Sequence, residues 1–221
     1  MNISTETLNV LKNFSNISPS LVVKTGSVLR TISPMKNIYA KFESPEVFEK
    51  DFALYDLNEF LGGLSLFKDP EFSFDETHVN IKSGRSVSKY FYSDASVITA
   101  PPEKDIALPS EDVTFQLSDE DLNSLLKASS VYQLPDLSLI GDGSEMQLIV
   151  RDKCNDSSNT YNVTVGQTTS NFCFNFKVEN LKILPGVYDV TISSPNLSVF
   201  KHTRLDLCYW IALEPDSTYE S

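Results

Sequence analysis

Apolar residues recur with a helical period in four short stretches of the chain. In the first stretch, Val10, Phe14 and Ile17 fall on one side of a helical wheel and polar residues occupy the opposite side. Ser4 stands where an N-cap is expected, because its hydroxyl can accept a hydrogen bond from the first turn. This pattern predicts a helix over Ser4–Ile17.

The second helical stretch contains an unfavourable pair of glycines. Its apolar stripe consists of Leu57, Phe60, Leu61 and Leu64, at positions i, i+3, i+4 and i+7. Gly62 and Gly63 lie inside this stripe, where each costs about 1 kcal/mol relative to alanine. Such a pair indicates either close packing or a deliberately thin helix face.

Two further helices are predicted in the second half. Ser118–Tyr132 begins with a serine cap and three acidic residues, which suit the positive end of the helix dipole. Acids in this position are more typical of dipole compensation than of a metal or catalytic cluster. The stripe formed by Val178, Leu181 and Leu184 predicts a short fourth helix, which Pro185 ends.

Most of the other apolar runs alternate with polar residues and are bounded by turn-forming residues, which predicts short strands. These strands are Leu21–Val23, Val28–Ile32, Ile38–Phe42, Phe72–Phe74, Val79–Ile81, Val87–Phe91, Ser96–Ile98, Leu137–Ile140, Met146–Val150, Tyr161–Val165, Asn171–Phe176, Val187–Ser193, Ser198–Phe200 and Leu205–Leu213. Alternation within two of them places Tyr39 and Trp210 on outward-facing, less buried sides.

The order of elements repeats along the chain. The two serine-capped helices share the pattern S-x-E-x-L-N-x-L at an offset of 114 residues. A strand that leads directly into a short helix recurs at a similar offset, first within Asp51–Phe67 and then within Asn171–Leu184. This repeat predicts an α+β fold of two similar domains.

A stretch rich in proline and acidic residues, Thr99–Asp112, separates the two halves and is expected to be extended. Ile106 and Leu108 alternate within it, although a purely solvated linker would need no apolar residues. We predict an N-terminal domain over residues 1–104, a connector over residues 105–112 and a C-terminal domain over residues 113–221.

Charge and composition narrow the functional classes. The 221 residues carry a formal net charge of −12, which argues against coating nucleic acid by bulk attraction. A local basic surface remains compatible with this charge, because salt screens distant charges. No apolar run is long enough to span a membrane and the first residues lack the features of a signal peptide, so we expect no membrane association. Cys154, Cys173 and Cys208 are expected to be small core residues in a reducing compartment.

No pattern points to catalysis. The two histidines, His78 and His202, lie in polar contexts and are expected at the surface. The motifs of nucleophilic, phosphate-binding, dinucleotide-binding and zinc-binding sites are missing. We therefore predict no catalytic residue, no metal and no cofactor.

The polar sides of the predicted helices carry lysines and few acids beyond their first turns. Lys12 lies on the first helix and Lys127 on the third, while Lys177 and Lys182 accompany the fourth. From the pattern alone, ordinary solvated helix faces are the simpler interpretation.

Five segments resemble the DNA polymerase sliding clamp, or processivity factor, of T4-like bacteriophages. They are VLKNFSNI at Val10–Ile17, DFALYDLNEFLGGLSLF at Asp51–Phe67, NFCFNF at Asn171–Phe176, LPGVYDV at Leu184–Val190 and ALEPDST at Ala212–Thr218. Their order and spacing match that family over nearly the whole chain. The resemblance implies a homotrimeric ring of two-domain subunits, with antiparallel sheets outside and two helices per domain lining the hole.

The same resemblance implies the partners of the ring. It implies double-stranded DNA, bound without sequence preference, with Lys12, Lys127, Lys177 and Lys182 facing it. The viral DNA polymerase, an ATP-driven clamp loader, and late-transcription factors that bring host RNA polymerase are the implied protein partners. All of them work in the cytoplasm of the bacterial host.

Members of this family dock partner peptides in an apolar pocket beside the connector. Ile106 and Leu108 lie in that connector, and the outward-facing aromatics Tyr39 and Trp210 are candidates for the pocket walls. The alternative is that all four residues merely hold the connector against its domain. Two other functions are considered beside the clamp: a non-enzymatic viral structural or adaptor protein of duplicated α+β domains, and an enzyme with an unrecognised site.

Overall fold

The computed structural model describes residues 1–194 and 196–220, which form two compact units. The first unit spans Met1–Lys104 and the second begins at Asp105. Each unit combines antiparallel sheets with helices, so the predicted α+β class is confirmed.

The first unit contains two α-helices and seven strands. The helices are α1 (Thr5–Ile17) and α2 (Leu57–Leu64). The strands are β1 (Leu21–Val23), β2 (Gly26–Ile32), β3 (Ile38–Phe48), β4 (Phe52–Leu54), β5 (Glu71–Phe74), β6 (His78–Ser83) and β7 (Ser86–Phe91). Strand β1 pairs with β4, β2 pairs with β3, and β5, β6 and β7 form a three-stranded sheet, all antiparallel. A short 3-10 helix, Ala95–Val97, replaces the strand predicted over Ser96–Ile98, which was wrong.

Helix α1 buries the stripe that its sequence predicts. Val10 and Phe14 have no exposed surface, and the Ser4 hydroxyl accepts a hydrogen bond from the Thr7 amide at 3.1 Å. The Glu46 carboxylate of β3 accepts hydrogen bonds from the Ser4 amide and the Thr7 hydroxyl. These bonds attach the start of α1 to its sheet.

Helix α2 begins at an aspartate cap. The Asp56 carboxylate accepts a hydrogen bond from the Glu59 amide at 2.8 Å. Apart from the adjacent residues and the backbone of α2 itself, a Cβ atom added at Gly62 or Gly63 would meet no atom of the described residues within 4 Å. Of the two explanations offered by the sequence, close packing within the chain is therefore wrong, and a thin helix face is what these glycines produce.

The second unit contains one α-helix and, among the residues described, nine strands. The helix is α3 (Asp119–Tyr132), capped by Ser118. The strands are β8 (Val113–Leu117), β9 (Asp136–Asp142), β10 (Glu145–Arg151), β11 (Tyr161–Gln167), β12 (Asn171–Lys177), β13 (Tyr188–Ser193), β14 (Leu197–His202), β15 (Leu207–Ala212) and β16 (Thr218–Glu220). One sheet has the order β11-β10-β9-β12-β16, and β15, β14, β13 and β8 are neighbours in another.

The interior of the second unit lies between α3 and these two sheets. Leu122 and Leu125 of α3 border the same apolar space as Leu148, Phe176 and Phe200. All five side chains are buried. Because Leu122 and Leu125 face this interior, the opposite side of α3 remains exposed.

The fourth helix predicted over Val178–Leu184 does not form. Only Val178–Asn180 is helical, as a 3-10 turn, and the next residues have no regular structure. Leu181 is nevertheless buried. The prediction of two helices per domain therefore holds for the first unit and is wrong for the second.

Candidate nucleic-acid and partner surfaces

Lys12 lies on the exposed side of α1. Asn9 and Asn16, which follow the same side of the helix, are also exposed and carry no charge. Glu6 is the only acid in α1 and lies in its first turn. Beyond that turn, the exposed side of α1 is polar and carries one positive charge.

Lys127 has the same setting on α3. Its neighbours Asn123 and Ser130 are exposed, and all three acids of the helix lie in its first turn. Each unit thus presents a serine-capped helix with a lysine and neutral polar residues on its solvent side. Such a surface can contact phosphate groups without holding them tightly, because it offers little charge.

Lys177 is the last residue of β12, and its charge already has a partner. Its ammonium group lies 2.6 Å from a carboxylate oxygen of Asp136, which has only 1% of its surface exposed. The hydrogen bond and charge of Asp136 raise the pKa of Lys177. Lys177 directly precedes the 3-10 turn Val178–Asn180 rather than the longer helix predicted there, and its ability to bind another anion is reduced.

Strand register creates this ion pair. Asp136 of β9 lies opposite Lys177 of β12 on one side and opposite Arg151 of β10 on the other. Asp136 also accepts a hydrogen bond from the Lys153 amide at 3.1 Å, and Lys153 itself pairs with Asp216 at 2.8 Å. Sequence reasoning missed Arg151 and Lys153 as neighbours of Lys177, because no local pattern joins positions this far apart.

Lys182 is exposed in the irregular segment that follows the 3-10 turn, so its predicted place on a helix is also wrong. That segment nevertheless lies next to the end of α3, because the Val178 amide donates a hydrogen bond to the Pro135 carbonyl at 2.9 Å. This bond places the start of the Lys177–Lys182 segment at the end of the second unit where α3 terminates.

The connector is attached to the second unit at two places. The Trp210 indole donates a hydrogen bond to the Ile106 carbonyl at 2.9 Å. Further along, the Asp112 carboxylate accepts hydrogen bonds from the Ser110 hydroxyl and the Ser194 amide at 2.6 and 2.7 Å, and these bonds lower the pKa of Asp112. The short segment between these attachments carries Leu108.

Ile106 and Leu108 are both half-buried, whereas Ala107 between them is exposed. Trp210 lies on the less buried side of β15, as predicted, although the residue itself has only 8% of its surface exposed. Two of the four predicted pocket residues, Ile106 and Trp210, are therefore in contact, and Leu108 lies two positions further along the same connector.

Tyr39 is the exception, because its prediction as an outward-facing aromatic is wrong. It is 3% exposed, and its hydroxyl accepts a hydrogen bond from the Arg30 guanidinium at 3.1 Å. An aromatic ring with a polar tip can be buried on a strand once that tip finds a partner. Simple alternation of apolar and polar residues misses this case.

Two other expectations are corrected by burial. His202 is 4% exposed rather than at the surface, and its Nδ1 accepts hydrogen bonds from the amides of Arg204 and Leu205. Cys154 is exposed rather than in the core, whereas Cys173 and Cys208 are half-buried. All three thiols are free.

The described residues contain no group of three or more His, Cys, Asp or Glu side chains that could hold a metal ion. Within the same residues, no helix is long and apolar enough to cross a membrane.

Solved structures of PCNA share this fold. PCNA of Thermococcus kodakaraensis matches 95% of this chain and 96% of its own, with a TM-score of 0.70 and 14% identity. A. fulgidus PCNA, solved with the C-terminal region of FEN-1, matches 96% of each chain with a TM-score of 0.68 and 14% identity. The fold is therefore that of the DNA-clamp class.

Sequence comparison defines the family within that class. The family described as DNA polymerase processivity factor matches residues 4–100, and the family described as gp45 sliding clamp, C terminal, matches residues 114–215. The sliding clamp of Vibrio phage KVP40 is 32% identical to this chain, over 97% of this chain and 99% of its own length. The sliding clamp of Enterobacteria phage T4 is 30% identical over the full length of both chains. The chain belongs to the sliding-clamp family of T4-like phages, the processivity factors of phage DNA polymerase.

Proposed function

We propose that this chain assembles into a homotrimeric ring that encircles double-stranded DNA and tethers the viral DNA polymerase. The observation that carries the proposal is the match of both clamp family descriptions, in order, to the two halves of the chain. In this proposal a clamp loader opens the ring and places it on DNA. The ring itself performs no catalysis and needs no metal or cofactor.

The DNA-facing surface is proposed to comprise the exposed sides of α1 and α3. Lys12 and Lys127 would contact phosphates there, with Lys182 as a third contact. Lys177 would contribute less, because Asp136 already neutralises it. Each neutralised phosphate steepens the salt dependence of binding by about 0.9 log units, so a ring with few lysines can slide. Closure of the ring, rather than affinity, would then retain it on DNA.

The DNA surface is tested by charge reversal. Replacing Lys12, Lys127 and Lys182 with Glu should shorten the products of polymerase extension on primed DNA in the presence of the clamp loader. A control variant replaces Lys50, Lys68 and Lys201 with Glu and so changes the charge by the same amount. These three lysines are exposed and lie outside α1 and α3. Equal product lengths for the two triple variants would show that the assigned surface does not face DNA.

Partner peptides are proposed to dock against the connector. Ile106, Leu108 and Trp210 supply apolar surface, and the Trp210–Ile106 hydrogen bond holds this part of the connector in place. We leave Tyr39 out of the docking surface because its ring is buried. The clamp loader and the late-transcription factors that recruit host RNA polymerase would use the same surface and compete with the polymerase.

Leu108 and its neighbour provide a matched test. Titration with the C-terminal peptide of the viral polymerase should show affinity reduced by about tenfold or more for Leu108→Asp, because a charge would replace buried apolar contact. Ala107→Asp adds the same charge one residue away, at an exposed position, and should change affinity little. Undiminished affinity of Leu108→Asp would remove the connector from the proposed pocket.

The proposed location is the cytoplasm of the bacterial host. Replication proteins of a phage work there, and the three free thiols suit its reducing conditions.

A further inference from the structure

The residues from Leu181 to Gly186 have no regular structure, yet their side chains alternate between the interior and solvent. Leu181 and Ile183 are 6% and 8% exposed, whereas Lys182 between them is exposed. The chain thus turns Lys182 outward at the place where the sequence predicts a helix. Because these residues lack the hydrogen bonds of a helix, other groups must bind their backbone and hold it in this position.

Two tyrosines bind both backbone groups of Leu184. The Leu184 amide donates a hydrogen bond to the Tyr209 hydroxyl at 3.1 Å, and the Tyr188 hydroxyl donates one to the Leu184 carbonyl. The two hydroxyls also form a hydrogen bond with each other. Since the Tyr188 proton points to the carbonyl, Tyr209 is the donor in that bond. The three bonds close a ring through Leu184, and bonds linked in this way strengthen one another.

The two tyrosine rings are themselves fixed in the interior of the second unit. Tyr188 and Tyr209 have no exposed surface, and their rings pack edge to face with centroids 6.1 Å apart. Burial raises the pKa of both hydroxyls, so each keeps the proton that it donates. Close-packed interiors leave such rings little freedom to move. The two hydroxyls are therefore fixed points for the backbone of Leu184.

The ends of the Lys182 segment, which we define as residues 178–186, are fixed as well. At its start, the Val178 amide donates a hydrogen bond to the Pro135 carbonyl at 2.9 Å. At its end, Gly186 lies against the His202 ring, where an added Cβ atom would be 2.3 Å from Nε2. The segment that carries Lys182 is thus attached at both ends and, between them, at Leu184.

We propose that Tyr188 and Tyr209 are positioning residues for the DNA contact of Lys182, because they fix the backbone from which its ammonium group reaches a phosphate. This inference rests on the proposed function, in which Lys182 faces DNA. It gives two interior side chains the role that a helix would otherwise have in holding this lysine.

A fixed backbone makes the contact of a single lysine more effective. A lysine on a mobile segment must lose backbone as well as side-chain freedom when it contacts a phosphate, and this loss weakens the contact. Attachment of Leu184, two residues away from Lys182, removes the backbone part of that cost before DNA arrives. Loss of the tyrosine hydroxyls should therefore weaken the contact although the charge of Lys182 is unchanged.

Amide hydrogen exchange, measured by NMR on the clamp alone, tests whether the tyrosines hold the segment. In Tyr188→Phe/Tyr209→Phe, which keeps both rings, the Leu184 amide should exchange about threefold faster than in wild type or more, because it loses its acceptor. The Ser18 amide, which donates to the Phe14 carbonyl in the first unit, is the control and should exchange at the wild-type rate. Thermal unfolding followed by circular dichroism confirms that the variant folds.

Polymerase extension in the presence of the clamp loader tests whether the tyrosines act through Lys182. Removing both hydroxyls should shorten the products about twofold or more. In a Lys182→Gln background the same change should shorten them no further, because the contact that the tyrosines position is already lost. In a Lys12→Gln background the change should keep its full effect, since Lys12 lies in the other unit.

The outcomes distinguish failure of this inference from failure of the proposed function. Unchanged exchange at Leu184, or equal shortening in the two lysine backgrounds, would show that the tyrosines do not position Lys182. If Lys182→Gln alone leaves product length unchanged while the wild-type clamp still lengthens the products, Lys182 does not contact DNA, and this inference is wrong while the clamp function stands. If the wild-type clamp does not lengthen the products, the proposed function is wrong and the inference fails with it.

Discussion

Asp136 lies in an environment that the linear sequence does not suggest. It is 1% exposed, yet its carboxylate accepts hydrogen bonds from the Lys177 ammonium group and from the Lys153 amide. Its partners are 17 and 41 positions away, and only the pairing of β9 with its two neighbouring strands brings them together.

Replacing Asp136 with Asn should destabilise the second unit by about 1.5–3 kcal/mol, the range for a lost hydrogen bond to a charged group. The amide can still accept a bond from Lys153 but leaves the Lys177 ammonium without its counter-charge. Urea unfolding followed by circular dichroism measures the loss. Asp189→Asn is the control, since Asp189 is exposed and, among the residues described, its carboxylate accepts a side-chain hydrogen bond from Gln116. Equal stability of the two variants would contradict a role for the buried pair.

Glu46 gives a pH-dependent prediction. Burial alone would raise its pKa, but hydrogen bonds from the Ser44 and Thr7 hydroxyls and the Ser4 amide outweigh burial and lower it. Because its pKa is lower in the folded protein, the contribution of Glu46 to stability is complete above its pKa in the unfolded chain, about 4.3. This contribution is lost as the pH falls through the pKa of Glu46 in the folded protein.

Glu46→Gln should therefore lower the free energy of unfolding by about 1–3 kcal/mol at neutral pH, and the gap to wild type should narrow at about pH 3 and below. Unfolding curves at both pH values test this. A gap that stays constant with pH would mean that the Glu46 charge does not hold the start of α1.

At the scale of elements, the two glycines that give α2 its thin face are expected to lower the stability of the helix. Gly62 and Gly63 have open space around them and backbone angles that other residues adopt. Replacing either with alanine should raise the free energy of unfolding by about 0.5–1 kcal/mol, because alanine favours the helix. The melting temperature should rise accordingly. Gly186→Ala should do the opposite, since its Cβ would lie 2.3 Å from the His202 ring and its φ is +157°. A loss of stability in Gly62→Ala and Gly63→Ala would show that the thin face is required within the chain itself.

The missing fourth helix shows where element prediction fails. Val178, Leu181 and Leu184 are spaced by three residues, a period that fits a 3-10 turn as well as an α-helix. The segment is also short, and short helices depend on tertiary packing rather than on their own propensity. The longer helices α1 and α3, each with a serine cap, lie within one residue of their predicted bounds.

At the scale of the whole molecule, retention by closure rather than affinity predicts a dependence on DNA topology. A loaded clamp should remain on circular DNA in high salt, where phosphate contacts are weakened. It should leave soon after the same DNA is cut once, because it slides off the new ends. Gel filtration of labelled clamp with DNA, before and after cutting, measures both. Equal retention on cut and circular DNA would indicate tight binding instead of encirclement.

The sequence by itself determined the two-part α+β organisation, the capped helices and their buried stripes, and the family. These depend on residues close together in the chain, whose periodicity reports which side of an element is apolar. Only the tertiary structure decided that Lys177 is neutralised by Asp136, that Tyr39 and His202 are buried, and that β7 and β11 are edges. Such features depend on strand order and register, and those arise from contacts between residues that the sequence keeps far apart.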